Sequence, residues 1–187
     1  MKRLICALSV LVLSTGITQA GIILQDQHGP SYQILYFSPI GQTFTAEDPS
    51  VTIGFWVEDI NQSAGPIGLT IELFEGTGTG GTSLGTAPIE GLTPGYAGFF
   101  DADFTSVVLV PGQIYTAIVS STSERGGLYS AEGNPYAGGE MIFAGSAYSN
   151  MDATFRVQPQ VIPAPGAIVI GGIGIGLVGW LRRRRTI

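Results

Sequence analysis

Along the middle of the chain, apolar and polar side chains alternate in short runs, the period of two that sends successive residues to opposite faces of a β-strand. Val51, Ile53, Phe55 and Val57 form one apolar row, interleaved with Thr52, Gly54, Trp56 and Glu58. Leu69, Ile71 and Leu73 repeat the pattern against Thr70, Glu72 and Phe74. Gly41 to Thr45, Tyr96 to Phe104, Ser106 to Val110, Ile114 to Ser121, Gly139 to Phe143 and Ala153 to Val157 are further predicted strands. No stretch between residues 21 and 160 sustains a helical period. About eight or nine short strands joined by Gly-rich turns predict an all-β fold, an antiparallel β-sandwich.

The punctuation fits the same fold. Pro111-Gly112 reads as a turn, because Pro fixes the first corner and Gly takes a positive φ at the second. Gly76 to Gly81 has no Lys-Ser/Thr after it and reads as a flexible hairpin connection, not a phosphate-binding loop. Ser120 to Gly127 and Asn134 to Gly139 are predicted polar loops, with Tyr129, Tyr136 and Tyr148 close by.

Both ends depart from this texture. Lys2 and Arg3, the apolar run Leu4 to Leu13 and the small-residue site Thr18-Gln19-Ala20 predict a cleaved signal peptide over residues 1–20. The apolar part is shorter than the roughly 20 residues a span needs, so a retained anchor is the alternative at this end. At the other end, residues 161–187 hold a Pro motif, Pro163-Ala164-Pro165-Gly166-Ala167, then a predicted transmembrane helix over 167–181, then Arg182, Arg183, Arg184 and Arg185. The prolines stop helix from running back into the body, and the Arg cluster predicts a cytoplasmic stop with the body outside. Residues 21–160 form one predicted domain.

Charge separates these parts further. All 14 acidic residues lie between Asp26 and Asp152, whereas the basic residues of that body are Arg125 and Arg156 alone. A surface of that sign repels nucleic acid and anionic headgroups, so no nucleic-acid partner is expected. Cys6, the single cysteine, lies in the predicted signal, which leaves the exported domain without disulfide or thiol chemistry. His28, the single histidine, reads as a solvated residue; without a partner it assembles neither a Ser-His-Asp triad nor a zinc site. Asp101 and Asp103, or Glu58, Asp59 and Asn61, are weak oxygen donors for Ca²⁺, with exposed turn acids the favoured explanation. No cofactor is expected.

Several segments carry a resemblance. Gly41-Gln42-Thr43-Phe44-Thr45-Ala46, Leu69 to Gly76, Pro111 to Tyr115, Asn134-Pro135-Tyr136-Ala137-Gly138-Gly139 and Asp152-Ala153-Thr154-Phe155-Arg156-Val157 together resemble a jelly-roll-like β-sandwich of bacterial exported proteins. Such domains look like carbohydrate-binding jelly rolls. The tail resembles the PEP-CTERM sorting signal, with Ala164 standing where that signal has Glu. That resemblance implies signal peptidase, an exosortase-like sorting enzyme and the cell membrane as partners, and export across the inner membrane to the cell envelope or beyond. A processed tail is favoured over a permanent single-span anchor.

The expected function is therefore a non-catalytic envelope or extracellular-matrix protein that binds or associates with extracellular polysaccharide. Tyr129, Tyr136 and Trp56 are the candidate glycan-stacking rings, with core packing the favoured role for Trp56. A purely structural, self-associating surface protein is the alternative. A paired-carboxylate glycosidase is a further one, although no spacing singles out a pair of acids.

Overall fold

The structure, a computed structural model, describes residues 21–62 and 65–160. The signal-peptide reading of 1–20 and the sorting-tail reading of 161–187, from Pro163 to Arg185, lie outside the described residues. Among the described residues the chain is all-β, with two antiparallel sheets and no helix. Its strands in chain order are β1 (Ile23–Gln25), β2 (Ser31–Gln33), β3 (Ile40–Thr45), β4 (Val51–Asp59), β5 (Leu69–Glu75), β6 (Ser83–Pro88) and β7 (Ala97–Asp103). They continue with β8 (Ile114–Ser121), β9 (Gly126–Glu132), β10 (Met141–Phe143), β11 (Ser146–Tyr148), β12 (Met151–Ala153) and β13 (Phe155–Pro159).

The longest run of alternation, β4, is the axis of the first sheet. One of its edges is covered by β7, from Thr52 opposite Asp103 to Glu58 opposite Ala97. The other edge is shared: β13 pairs Val51 to Phe55, and β9 pairs Val57 to Asp59. Beyond these lie β1 on β13, and β2 on β9, while β12 pairs the far half of β9. The second sheet runs β11-β10-β3-β8-β5-β6.

Alternation decides what meets between the sheets. Val51, Ile53, Phe55 and Val57 point inward from β4, and Leu69, Ile71 and Leu73 from β5, so both predicted rows enter one core with Phe44, Leu128 and Phe155. Removing these side chains from water supplies the main driving force, about 1.5–3 kcal/mol for each large one. The complementary row of β4, with Thr52, Trp56 and Glu58, faces away from that core.

Two predicted segments depart from the sequence expectation for physical reasons. Ser106 to Val110 is not a strand: the Val107 N–H donates to the Phe104 carbonyl (2.9 Å) and the Leu109 N–H to the Pro49 carbonyl (2.9 Å). The run caps the sandwich with Leu109 buried and Val108 exposed. The predicted loop Ser120 to Gly127 is shorter, and β9, a central strand, begins inside it. Its small residues leave no alternation to read, yet they are required, since a Cβ at Gly126 would meet Leu69 Cδ2 at 2.8 Å and Ile34 Cδ1 at 3.0 Å.

The Gly76 to Gly81 connection joins β5 to β6 as expected but is not free. Thr116 Oγ1 donates to the Gly76 carbonyl (2.7 Å) and accepts from the Gly78 N–H (2.8 Å), folding the loop back over the second sheet. Pro111-Gly112 forms the expected turn, closed by the Gln113 N–H on the Val110 carbonyl (3.1 Å) with Gly112 at φ 85°.

Candidate functional site

Three of the five segments that carry the sequence resemblance, those with Gln42, Tyr136 and Asp152, converge on one buried point. Gln42 leaves the inner face of β3 and meets the end of β12 with both ends of its amide. Its Nε2 donates to Asp152 Oδ1 (2.7 Å), and its Oε1 accepts from the Ala153 N–H (2.8 Å). Asp152 Oδ2 accepts from the Tyr136 N–H (2.9 Å). With its amide turned so that nitrogen faces the carboxyl, Asn134 donates to the same oxygen (3.1 Å) and to the Tyr136 carbonyl (2.9 Å). Gln42 and Asp152 are fully buried, and burial pushes the Asp152 carboxyl above the usual carboxylate range.

This clasp ties the 134–139 loop to both sheets, and the Gln42 amide and Asp152 carboxyl are spent on partners within the fold. Tyr136, a predicted stacking ring, belongs to it. Its ring packs edge-on against Phe155 at 5.2 Å, its hydroxyl accepts from the Thr45 N–H (3.3 Å), and burial pushes its phenol pKa up.

The two arginines of the domain are each committed to an aspartate. Arg125 grips Asp59 with Nε (3.1 Å) and Nη2 and donates from Nη1 to the Gly65 carbonyl (3.2 Å). The Asp59 side chain is wholly buried, and the Arg125 hydrogen bond holds its carboxyl below the ordinary range. Beside them, desolvation pushes the Tyr96 phenol up to about 12. Arg156 binds Asp101 in a fork, Nε to Oδ1 at 2.8 Å and Nη2 to Oδ2 at 2.5 Å. Asp103 accepts from the Thr105 N–H (2.8 Å), which lowers its pKa. Of the weak Ca²⁺ candidates, Asp101, Asp103 and Asp59 are therefore engaged within the fold. No group of three metal-ligating side chains occurs among the described residues.

The outer face of the first sheet carries a different kind of arrangement. Trp56 and Phe99 are register partners on β4 and β7, and their rings meet edge-on at 5.2 Å. His28 lies 4.2 Å from Trp56 and 5.4 Å from Tyr129 of β9. Four rings thus run in the order Phe99, Trp56, His28, Tyr129. His28 is exposed and the other three are partly exposed. Charge closes both ends: the Arg156 guanidinium sits over Phe99 at 4.8 Å, and Tyr129 Oη donates to Glu58 Oε2 (2.9 Å). That hydrogen bond to a carboxylate pushes the Tyr129 phenol pKa up.

The strip is fixed by backbone contacts. The connection from β1 to β2, which bears His28, is pinned by the Gly29 N–H on the Ser130 carbonyl (2.5 Å) and by Thr154 Oγ1 on the Gln27 carbonyl (2.7 Å). Of the three predicted stacking rings, Trp56 and Tyr129 come together here and Tyr136 does not. Trp56 lies outside the core, contrary to the packing role expected for it, because its parity in β4 is opposite to Val51, Ile53, Phe55 and Val57. His28, expected merely to be solvated, is the ring that joins the other two.

Phe99 was not singled out by sequence. Its signal was parity: within β7 it shares a face with Asp101 and Asp103, the polar side of the strand. Two grooves lie away from the strip, beside the second sheet. One groove of about 550 Å³ is lined by Glu75, Thr77, Gln113 and Ile114 among others, and a neighbouring one of about 370 Å³ by Thr43, Thr45 and Glu140. The sequence matches no protein-family model and no curated protein.

Proposed function

We propose that the domain is a non-catalytic saccharide-binding module, a jelly-roll-like sandwich carried by an exported cell-envelope or matrix protein. The observation that supports this reading is the Phe99-Trp56-His28-Tyr129 strip on the outer face of the first sheet. Aromatic rings stack on the C–H faces of pyranose units, and an extended row of them suits a polymer lying across a sheet. Glu58 at one end and Arg156 at the other can take part in hydrogen bonding to sugar hydroxyls while staying paired with Tyr129 and Asp101. Export rests on the terminal segments: a signal peptide for signal peptidase, and a PEP-CTERM-like tail for an exosortase-like enzyme.

Polysaccharide pull-downs and a glycan array with wild-type and Trp56→Ala protein test the binding. Retention of at least one polysaccharide, weakened about tenfold or more in the variant, is expected, since one lost ring contact of ~1.4 kcal/mol is a factor of ten. Binding no stronger than that of a ring-free control sandwich would remove the saccharide reading. Intact mass of the cell-associated protein tests the sorting: a C-terminus near Pro163 to Ala167 supports processing, and recovery of Arg182 to Arg185 in the membrane fraction supports a retained anchor.

A further inference from the structure

A second group of rings lies on the other side of the β2-β9 ladder. Ser31 is the register partner of Tyr129, on the outer face, so the next residue, Tyr32, points the opposite way beside buried Leu128. The Tyr32 ring meets Phe143 of β10 at 4.7 Å and Phe37 at 5.4 Å, and Phe37 and Phe143 stack at 4.6 Å. These three rings are partly buried and packed against the core. They form a base. On it lean two exposed rings, Tyr36 against Phe37 at 4.8 Å and Tyr148 against Phe143 at 5.8 Å, with 76% and 40% of their surface exposed.

The base is held by main chain from both sheets. The Phe37 N–H closes a turn on the Gln33 carbonyl (3.1 Å). The Ala144 N–H donates to the Phe37 carbonyl (3.1 Å) and the Gly145 N–H to the Pro39 carbonyl (3.0 Å), tying residues 34–39 to the β10-β11 hairpin. Tyr148 is the register partner of Met141, an inward residue, so it continues the inner face of the second sheet past the point where the first sheet covers it. Ordered in this way, the base loses little further conformational freedom when something stacks on the rings it carries.

The chemistry of the occupant follows from charge. In a domain with 14 acidic and two basic side chains, neither residues 29–46 nor residues 141–151 contain Asp, Glu, Lys, Arg or His. An uncharged surface of tyrosine rings, with exposed hydroxyl side chains such as Ser38 and Ser146 in the same segments, complements an uncharged polyhydroxylated ring and offers nothing to an ion. We propose that this cluster is a second saccharide-stacking site for neutral glycan, so that each chain holds two strands and cross-links them. The choice of ligand class rests on the saccharide reading of the first strip, but the residues are separate. Because the two ring groups face opposite sides of one ladder, a single straight strand does not lie on both.

Titration calorimetry of the full chain, held in detergent, with chitohexaose, cellohexaose, xylohexaose and mannohexaose counts the sites. Two per chain are expected for at least one oligosaccharide. The Tyr36→Ala/Tyr148→Ala double variant is expected to keep one, as is Trp56→Ala. One site that is lost with Trp56→Ala and unchanged in the tyrosine variant overturns the second site and leaves the first reading standing. One site lost only in the tyrosine variant overturns the first reading and supports the second site. No heat with any of the four overturns both. A sugar-free dimer in sedimentation that dissociates in the tyrosine variant also overturns the second site, since the rings then cover another copy of the chain.

Discussion

The clasp at Gln42 and Asp152, between the two sheets, and the strip at Trp56 and His28, on the outer face of the first, serve opposite purposes. In the clasp, the Gln42 amide and the Asp152 carboxyl are buried and matched to partners within the fold. In the strip, rings that would have added to the core stand outside it, held by pairing on β4, β7 and β9. The difference separates what a side chain does for the fold from what it leaves available. A polar residue in a core stabilises only through its partners, whereas an aromatic residue on a sheet face keeps a surface to offer.

The sharpest way to break this contrast is to remove the clasp. Asp152→Ala strands Gln42 Nε2 and the Tyr136 N–H in a buried place, and an orphaned buried group costs ~1–3 kcal/mol. Together they are expected to lower the urea midpoint by the equivalent of about 3 kcal/mol. Saccharide affinity of the fraction still folded is expected to stay unchanged. A parallel fall in affinity, measured well below the midpoint, would show that the two regions are one unit.

Trp56→Ala inverts that result. Affinity is expected to fall about tenfold, while the melting temperature moves by only a few degrees, because the ring is partly exposed and belongs to no core contact set. A large drop in melting temperature would mean that the strip is structural after all.

The same pair of regions shows why the sequence was readable in one place and silent in another. Val51 to Val57 and Leu69 to Leu73 showed their inner faces because strict alternation survives wherever a large apolar residue fills each inward position. β9 gave no such signal: Gly126, Ser130 and Ala131 are buried, Gly126 directly against the side chains of Leu69 and Ile34, and small residues carry no apolar stripe. Ser106 to Val110 failed the other way, since a run rich in Val bonded its main chain to loops and never joined a ladder. Asn134 to Gly139 and Asp152 to Arg156 were visible as motifs, but a motif does not say whether its residues face a ligand or each other. Trp56 was misplaced for want of one inference, that a residue out of phase with an inner row lies on the outer face. His28 had no local signal at all, because its neighbours come from β4 and β9, distant in sequence.

Buried aspartates sharpen the contrast through pH, with a smaller net effect because they pull in opposite directions. Asp59 has its carboxyl lowered by Arg125, so its contribution is present above the unfolded-chain value near 3.8 and is lost as pH falls through the lower folded value. Asp152 is raised by burial, so the folded state binds its proton more tightly and gains stability as pH falls through the raised value. Stability followed by urea midpoint from neutral pH downward is expected to gain from Asp152 first and to lose from Asp59 below it. Asp152→Asn is expected to abolish the first limb of that profile and spare the second. An unchanged upper limb would assign the titration to another group.

The smallest effect is expected at the junction of ring and charge. Tyr129→Phe keeps the ring beside His28 and removes only the hydroxyl that donates to Glu58. The Glu58 carboxylate is partly exposed, so water replaces the lost donor and the cost is expected to stay under about 0.5 kcal/mol, less than a threefold change in affinity. Tyr129→Ala removes the ring as well, and a clearly larger loss is expected. If the two variants weaken binding equally, the hydroxyl and Glu58 carry the contact. Tyr129 would then contribute through hydrogen bonding instead of stacking, and the strip would end at His28.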